Sequence, residues 1–272
     1  MTLSIASWNI NSVRLRENQV LRFLRERRPD VLALQEIKCR TEEFPGKEFS
    51  KLGYVHQAVH GQKGYHGVAI LSRVPFAEMA SETFGGRPDA RHVSVRFGAG
   101  AGAAKGLVVH NFYVPAGGDV PDATLNDKFA HKLLYLDELR PWTDRVRAPG
   151  EAPAVLLGDL NIAPSEYDVW SHRQLLDVVS HTPLETDTLD ALRDQGGWVD
   201  AVRAKHPEPQ KLYSWWSYRN HDWTLSDRGR RLDHAWISPD LAPALASATI
   251  ERSTRAWDRP SDHVPVVVTL EL

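Results

Sequence analysis

Carboxylates, amides and imidazoles close off five short apolar runs of this chain. The runs are Ser4–Asn11 (SIASWNIN), Val31–Lys38 (VLALQEIK), Val155–Pro164 (VLLGDLNIAP), Arg231–Ile237 (RLDHAWI) and Ser261–Val268 (SDHVPVVV). Such runs of Val, Leu, Ile and Ala read as buried strands. A carboxylate is costly to bury without a partner. Five strands that share this arrangement imply one common rim holding a hard cation and a polar substrate.

Glu36 ends a wholly apolar strand, with Lys38 just beyond it. Alone it would read as a solvated strand-end charge. Its weight comes from Asn9 and Asn11, which end the first strand, and from Asp262, which precedes the last. Glu, Asp and Asn oxygens suit Mg²⁺ or Mn²⁺. Zinc fits less well, because His110, His234 and His263 lack ligand spacing and no cysteine pair accompanies them. Gly158-Asp159-Leu160-Asn161 is the sharpest local signal. Gly158 permits close backbone approach. Asp159 and Asn161 lie two apart, so they face one side if extended. A carboxylate beside an amide can hold an attacking water and an anionic oxygen; the alternative is an Asx turn that merely ends a strand. Asp233 can fix the tautomer of His263 and stabilise its cation, or the two can be unrelated strand-end residues. Tyr113 can donate its phenol to a phosphoryl oxygen, or be a buried tyrosine with a satisfied hydroxyl.

The elements that must position these residues follow from periodicity. Strand Leu3–Trp8 leads to a helix over about 14–28, stopped by Pro29. Val31–Gln35 is the next strand. Tyr54–Val59 and Gly67–Ser72 read as neighbouring strands, and His92–Phe97 with Leu107–Tyr113 as a hairpin with a mobile tip at 98–104. A helix over about 123–140 shows an apolar stripe of Leu125, Phe129, Leu133 and Leu136, and Pro141 ends it. Leu175–Ser180 and Thr188–Gln195 read as helical. Strands near Arg231–Ile237, Ala246–Glu251 and Val264–Leu270 close the chain. Hairpin-length links without regular βαβ spacing favour packed mixed sheets flanked by helices over a parallel barrel. The linker-like Arg147–Pro153 is a surface connection, so residues 1–272 read as one domain.

Composition is that of an ordinary globular enzyme, 42% hydrophobic and 25% charged. Cys39 is the only cysteine, which excludes an internal disulfide and four-cysteine zinc sites. No signal peptide and no membrane-length apolar run are visible, and a cytoplasmic location is expected. The net charge of −2 is not the footprint of a protein that coats nucleic acid, so any such contact is local. The segment 203–231 interleaves Lys and Arg with Tyr213, Trp215, Trp216, Tyr218 and Trp223. It reads as a nucleic-acid surface or as a solvated loop over core tryptophans.

In this order, WNINSVR, PDVLALQEIK, GQKGYHGVAI, NFYVPAGG, GDLNIAP, YSWWSYR, RRLDHAW and RPSDHVPV resemble the exonuclease III family of DNA-repair nucleases. That family sits in the endonuclease/exonuclease/phosphatase superfamily with deoxyribonuclease I. The resemblance spans Trp8 to Val266. It implies an α/β fold, a four-layer αββα sandwich of two mixed β-sheets with helices outside. It implies a Mg²⁺-dependent hydrolase, with Mn²⁺ an alternative, that cuts duplex DNA at abasic sites and 3′ termini, as a monomer. An end-processing enzyme with little abasic activity, or another superfamily phosphodiesterase, is the alternative. It makes Glu36 the principal metal ligand, supported by Asn9 and Asp262. Asp159 handles the water or leaving-group proton, Asn161 and Tyr113 contact phosphate, and Asp233 orients His263. Asn11, Arg91, Lys128 and Trp215 would contact DNA. Ser12, Ala116 and Trp216 depart from the family pattern, as does the loop Tyr167–Pro183. There His172 or Trp170 narrows a lesion pocket or packs the loop, with packing favoured for Trp170.

Overall fold

The computed structural model describes residues 1–219 and 222–272. In chain order its strands are β1 (Thr2–Asn9), β2 (Val31–Gln35), β3 (His56–His60), β4 (Val68–Ser72), β5 (Phe76–Ala80), β6 (His92–Phe97), β7 (Val108–Tyr113), β8 (Ala154–Asp159), β9 (Val199–Asp200), β10 (Trp215–Trp216), β11 (Gly229–Arg230), β12 (Asp233–Ile237), β13 (Leu245–Ile250) and β14 (Val266–Glu271). The helices are α1 (Glu17–Glu26), α2 (Gly46–Ser50), α3 (Asp127–Val146), α4 (His172–Leu175), α5 (Pro183–Gln195), α6 (Ala201–Lys205) and α7 (Trp223–Ser226).

Strand alternation builds the layers. In β2, Val31 and Ala33 enter the core between the sheets, while Leu32 and Leu34 meet α1 and α2 outside. In β8, Val155 and Leu157 face inward, while Ala154 and Leu156 meet α3 and α5. A strand buried on both faces keeps its period of two even where every residue is apolar. One six-stranded sheet runs β13-β14-β1-β2-β4-β3, and the other β5-β6-β7-β8-β12-β9. Both are mixed: β1–β2 and β7–β8 are parallel, and the remaining pairs are antiparallel. The expected four-layer αββα sandwich is the fold observed.

Several local expectations are corrected. The first helix is shorter than expected, and α3 starts at Asp127, capped by the Asn126 side chain. Leu125 lies outside α3 and is 78% exposed. Pro141 does not end α3, which runs on to Val146. An interior proline costs about 3 kcal/mol. Burial of Trp142 against Phe84, His110 and Phe112 offsets that cost. Only Leu175 of Leu175–Ser180 is helical, as the last residue of the one-turn α4; residues 176–180 form turns. The loop 98–104 is anchored by buried Ala101 and Ala104. The exposed edge strand β5 went unrecognised, because only one of its residues is even half-buried.

A buried charge network ties the 165–170 loop to the second sheet. Arg231, 1% exposed, donates to both oxygens of Asp168 (2.7 and 2.9 Å) and to Asp200 (2.7 Å). Arg203 also donates to Asp168. Burial would raise the Asp168 carboxyl, but these guanidinium groups hold it below its usual range. Arg231→Met leaves buried Asp200 without its guanidinium partner and Asp168 with Arg203 alone. Removing one partner of a buried pair costs about 3–5 kcal/mol. A clear fall in the thermal unfolding midpoint is expected, and a midpoint equal to that of the unmodified chain would refute this account of the network.

Candidate active site

Strand direction gathers the chemistry at one end of the sandwich. The parallel pairs deliver residues where they finish: Asn9 aligns with Gln35 across β1–β2, and Tyr113 with Asp159 across β7–β8. Antiparallel β12 delivers where it starts, setting Asp233 opposite Asp159. His263 lies just before antiparallel β14. Asn9, Tyr113, Asp159 and Asp233 each share the inward phase of their strand with core residues such as Ile5, Val109, Leu157 and Ala235. Gly158 makes the spacing possible. At φ 139° a Cβ there would sit 1.9 Å from the Phe112 carbonyl oxygen.

Asn9 joins the two sheets. Its Nδ2 donates to Glu36 Oε1 (2.9 Å) and to Asp159 Oδ2 (2.8 Å). Tyr113 donates its hydroxyl to Glu36 Oε1 (2.8 Å), and Lys38 Nζ lies 2.7 Å from Glu36 Oε2. Burial would raise the Glu36 carboxyl, but Lys38 and the Asn9 amide keep it below its ordinary range. The Tyr113 phenol is pushed far up by burial and by Glu36, so it stays a donor.

Asp233 and His263 are paired at 2.8 Å through Nδ1. Ser214 donates to the same Asp233 oxygen (2.6 Å). His263 Nε2 stands 3.7 Å from Asp159 Oδ2. Burial alone would lower the His263 pKa, but Asp233, then Asp159, raise it to about 10. Desolvation moves Asp159 the other way, up to about 7. Asp159, Asp233 and His263 have potential metal-ligand atoms within 4.8 Å of one another. Asp233 on Nδ1 fixes the ring and, with Asp159, favours its protonated form, which presents Nε2–H to the cleft. The trio reads as proton-handling machinery, and the cation donors lie toward Glu36.

Asp262 stands one step away. Its Oδ1 accepts from Asn11 Nδ2 and its Oδ2 from Trp215 Nε1, both at 3.0 Å. Burial raises its carboxyl, and His263 with these donors brings it below the usual value. Asn11 Oδ1 accepts from Lys38 (2.6 Å), closing a chain from Glu36 to Asp262. Asn11, Ser12, Glu36, Lys38 and Asn161 all have φ between 47° and 85°. Ser12, at 85°, holds the conformation in which glycine is easiest. Asn161, at 54°, corrects the extended geometry expected for it. Its N–H donates to Asp159 Oδ1 (2.9 Å), so the Asx turn is real and forms part of the site. Asn161 Nδ2 donates to Val114 O (2.9 Å).

Two clefts flank this centre. One, of about 700 Å³, is walled by Trp170, Trp215, Val179, Arg219, Arg228 and Arg230. Arg230 stacks over Trp215 and Arg228 over Trp170. The aromatic segment divides between its two readings: Trp216 and Tyr213 are buried, whereas Trp215 is half-buried at the cleft. Trp170 packs and also faces the cleft. His172 is not on the cleft wall; it is exposed and joined to His181 at 2.8 Å. The other cleft, of about 450 Å³, includes Tyr65, Arg87, Arg91, Tyr113, Lys128 and His131. Lys128 is exposed there. Arg91 lines this cleft with little exposure, donates to Tyr113 O (3.2 Å) and stacks 4.8 Å over the Tyr113 ring, so it holds Tyr113 in place.

Sequence reasoning passed over Gln35, Asn111 and Lys132. Gln35 Nε2 donates to Ser7 Oγ (3.1 Å) and Asn111 Oδ1 (2.7 Å), a polar bridge between the sheets below Glu36. The signal was an amide inside an otherwise apolar strand. Lys132 lies three residues after Phe129 and four before Leu136, on the buried face of α3.

Face-to-face mixed sheets with this carboxylate–imidazole centre at one end define a deoxyribonuclease I-like hydrolase. The chain belongs to the endonuclease/exonuclease/phosphatase family, whose model matches residues 6–263. It is 30% identical over 276 residues to the exodeoxyribonuclease III of Haemophilus influenzae, covering 97% of this chain and 98% of that protein. The 3′ phosphatase NExo from Neisseria, solved with a product DNA hairpin, superposes with a TM-score of 0.88 at 31% identity, covering 99% of this chain and 100% of that one. An AP endonuclease from Archaeoglobus fulgidus gives the same TM-score at 29% identity, with the same coverage.

Proposed function

We propose that this chain is a divalent-metal-dependent DNA-repair phosphodiesterase. It hydrolyses duplex DNA at abasic sites and at 3′ termini, within one catalytic unit spanning residues 1–272. The observation that carries this reading is the Asn9 amide, which bonds both Glu36 and Asp159 and so unites the ends of two sheets. The relatives support it: one is an exodeoxyribonuclease III, one a 3′ phosphatase and one an AP endonuclease.

The donor set fits Mg²⁺, with Mn²⁺ as the alternative. Glu36 is ionised, its side chain is 17% exposed, and it lies beside the Asn9 amide, with Asp262 at the far end of the Lys38–Asn11 chain. These are hard oxygen donors of the kind Mg²⁺ takes, without thiolate or free imidazole. When bound, a divalent cation supplies Lewis-acid polarisation of the phosphate and charge neutralisation at the leaving oxygen. Asp159 orients the attacking water and takes its proton. Both of its oxygens are fixed by Asn9 and Asn161. His263, protonated and held by Asp233, presents Nε2–H to a phosphoryl oxygen. The second N–H of Asn161 Nδ2 adds another donor, and losing one preorganised donor costs on the order of 10²–10³ in rate. Tyr113 orients Glu36 through its hydroxyl and would contact a phosphoryl oxygen beside that carboxylate. Lys128 and Trp215 contact the duplex from the two clefts, and Asn11 holds the Asp262 side of the rim.

The test is a rate comparison on abasic, 3′-phosphate and undamaged recessed duplexes beside a phospholipid. Turnover of the duplexes supports the reading, and turnover of lipid alone overturns it. His172→Gly is expected to leave the ratio of abasic to 3′-phosphate rates unchanged, because His172 is not part of the cleft wall. A shifted ratio would show that it gates the substrate.

A further inference from the structure

The interior behind Asn161 contains a charge pair that the hydrolytic scheme does not use. Lys132 and Glu185 are both 0% exposed and paired through Lys132 Nζ and Glu185 Oε1. Buried ion pairs are often no better for stability than apolar residues of similar volume. Stability alone is therefore a weak reason for this one, and its bonding gives a better reason. A lysine ammonium has three donors. Those of Lys132 face Glu185, Asn161 O (2.8 Å) and Ala116 O (3.5 Å). The second belongs to the turn that presents Asp159, and the third to the segment after Tyr113. Asn161 is thus held at both backbone groups, its N–H by Asp159 and its carbonyl by Lys132, in a left-handed conformation that asparagine enters more readily than most non-glycine residues.

Glu185 extends the connection to the Trp215 cleft. Its carboxylate accepts from Ser180 N (2.9 and 3.0 Å) and from Thr182 Oγ1 (2.7 Å). Arg230, stacked on Trp215, donates to Ser180 Oγ (2.7 Å) and Val179 O (3.0 Å). The packing has no slack: a Cβ on Gly117 would lie 2.9 Å from both Lys132 Cδ and Val179 Cγ1.

We propose that the Lys132–Glu185 pair is a positioning strut for hydrolysis, fixing the Asp159–Asn161 turn relative to Tyr113–Ala116 and to the 178–182 wall of the cleft. The inference rests on the hydrolytic reading above. A misplacement of about 1 Å can cost on the order of 10²-fold in rate. Two variants separate positioning from stability. Lys132→Met leaves Glu185 buried without its cation and lowers both the melting point and kcat. Lys132→Met/Glu185→Gln removes both charges and keeps an acceptor for Ser180 and Thr182. The double variant is expected to regain most of the melting temperature, yet to show kcat reduced about 10- to 100-fold with KM little changed. Full recovery of kcat along with the melting point overturns the strut. A crystal structure of the double variant gives a readout independent of activity. A turn at Asn161 displaced relative to Tyr113 supports the proposal, and an unmoved turn refutes it even if the substrate reading also fails.

Discussion

Asp159→Asn is expected to lower single-turnover cleavage of an abasic duplex by about 10²–10⁴-fold, the usual worth of a general acid or base. The change is nearly isosteric. An Asn oxygen can still accept from Asn161 N, so the turn that Asp159 organises persists. The group that binds the proton is lost. Burial of Asp159 makes this a clean experiment. Desolvation already penalises its charge and raises its pKa to about 7, so the neutral amide removes no favoured charge, though its NH2 then faces the Asn9 amide and one hydrogen bond is lost. The melting point should fall only modestly, by the worth of the one bond to Asn9, and DNA binding should persist. Near-normal cleavage in a folded variant would remove Asp159 from the chemistry.

Glu36→Ala has the other large expected effect, for a different reason. Glu36 is the point where three donors meet: Asn9, Tyr113 and Lys38. The ionised carboxylate among them is the strongest hard-cation donor of the site. Loss of the cation's charge stabilisation is worth several kcal/mol, on the order of 10³-fold in rate. The side chain is 17% exposed, so the stability cost is smaller than the loss of rate. Removing a negative charge beside an incoming phosphate should not weaken DNA binding. Raising the Mg²⁺ concentration should recover part of the Glu36→Ala rate and none of the Asp159→Asn rate. Equal recovery in both variants would contradict the division of roles.

The strands were legible because their apolar runs are long and their polar ends abrupt. Val31–Gln35 and Val155–Gly158 read as buried strands, and the structure buries them on both faces. The convergence of those ends is a tertiary fact. It depends on which neighbours are parallel and on the shared inward phase of Asn9, Tyr113, Asp159 and Asp233. No single segment contains that information; the repeated polar endings of five apolar runs implied a common rim, and the resemblance of the ordered motifs gave it its members. Other features were hidden for physical reasons. Pro141 inside α3 defied a sound local rule, because aromatic packing outweighs one lost hydrogen bond. The Asx turn at Asp159–Asn161 had been set against a functional role, yet one geometry serves both purposes. Lys132 was invisible as a site residue because a lysine on an apolar helix face announces nothing until Asn161 and Glu185 are seen around it. Arg91 reads from the sequence as a charge for DNA; its hold on Tyr113 is visible only in the structure.

The account's central claim is that the joined strand ends hydrolyse DNA and do not merely bind it. The most direct test follows a labelled abasic duplex with the unmodified chain, in Mg²⁺ and in EDTA, measuring binding and strand scission side by side. The account predicts binding in both conditions and scission only with Mg²⁺. Binding without scission in either condition would contradict it.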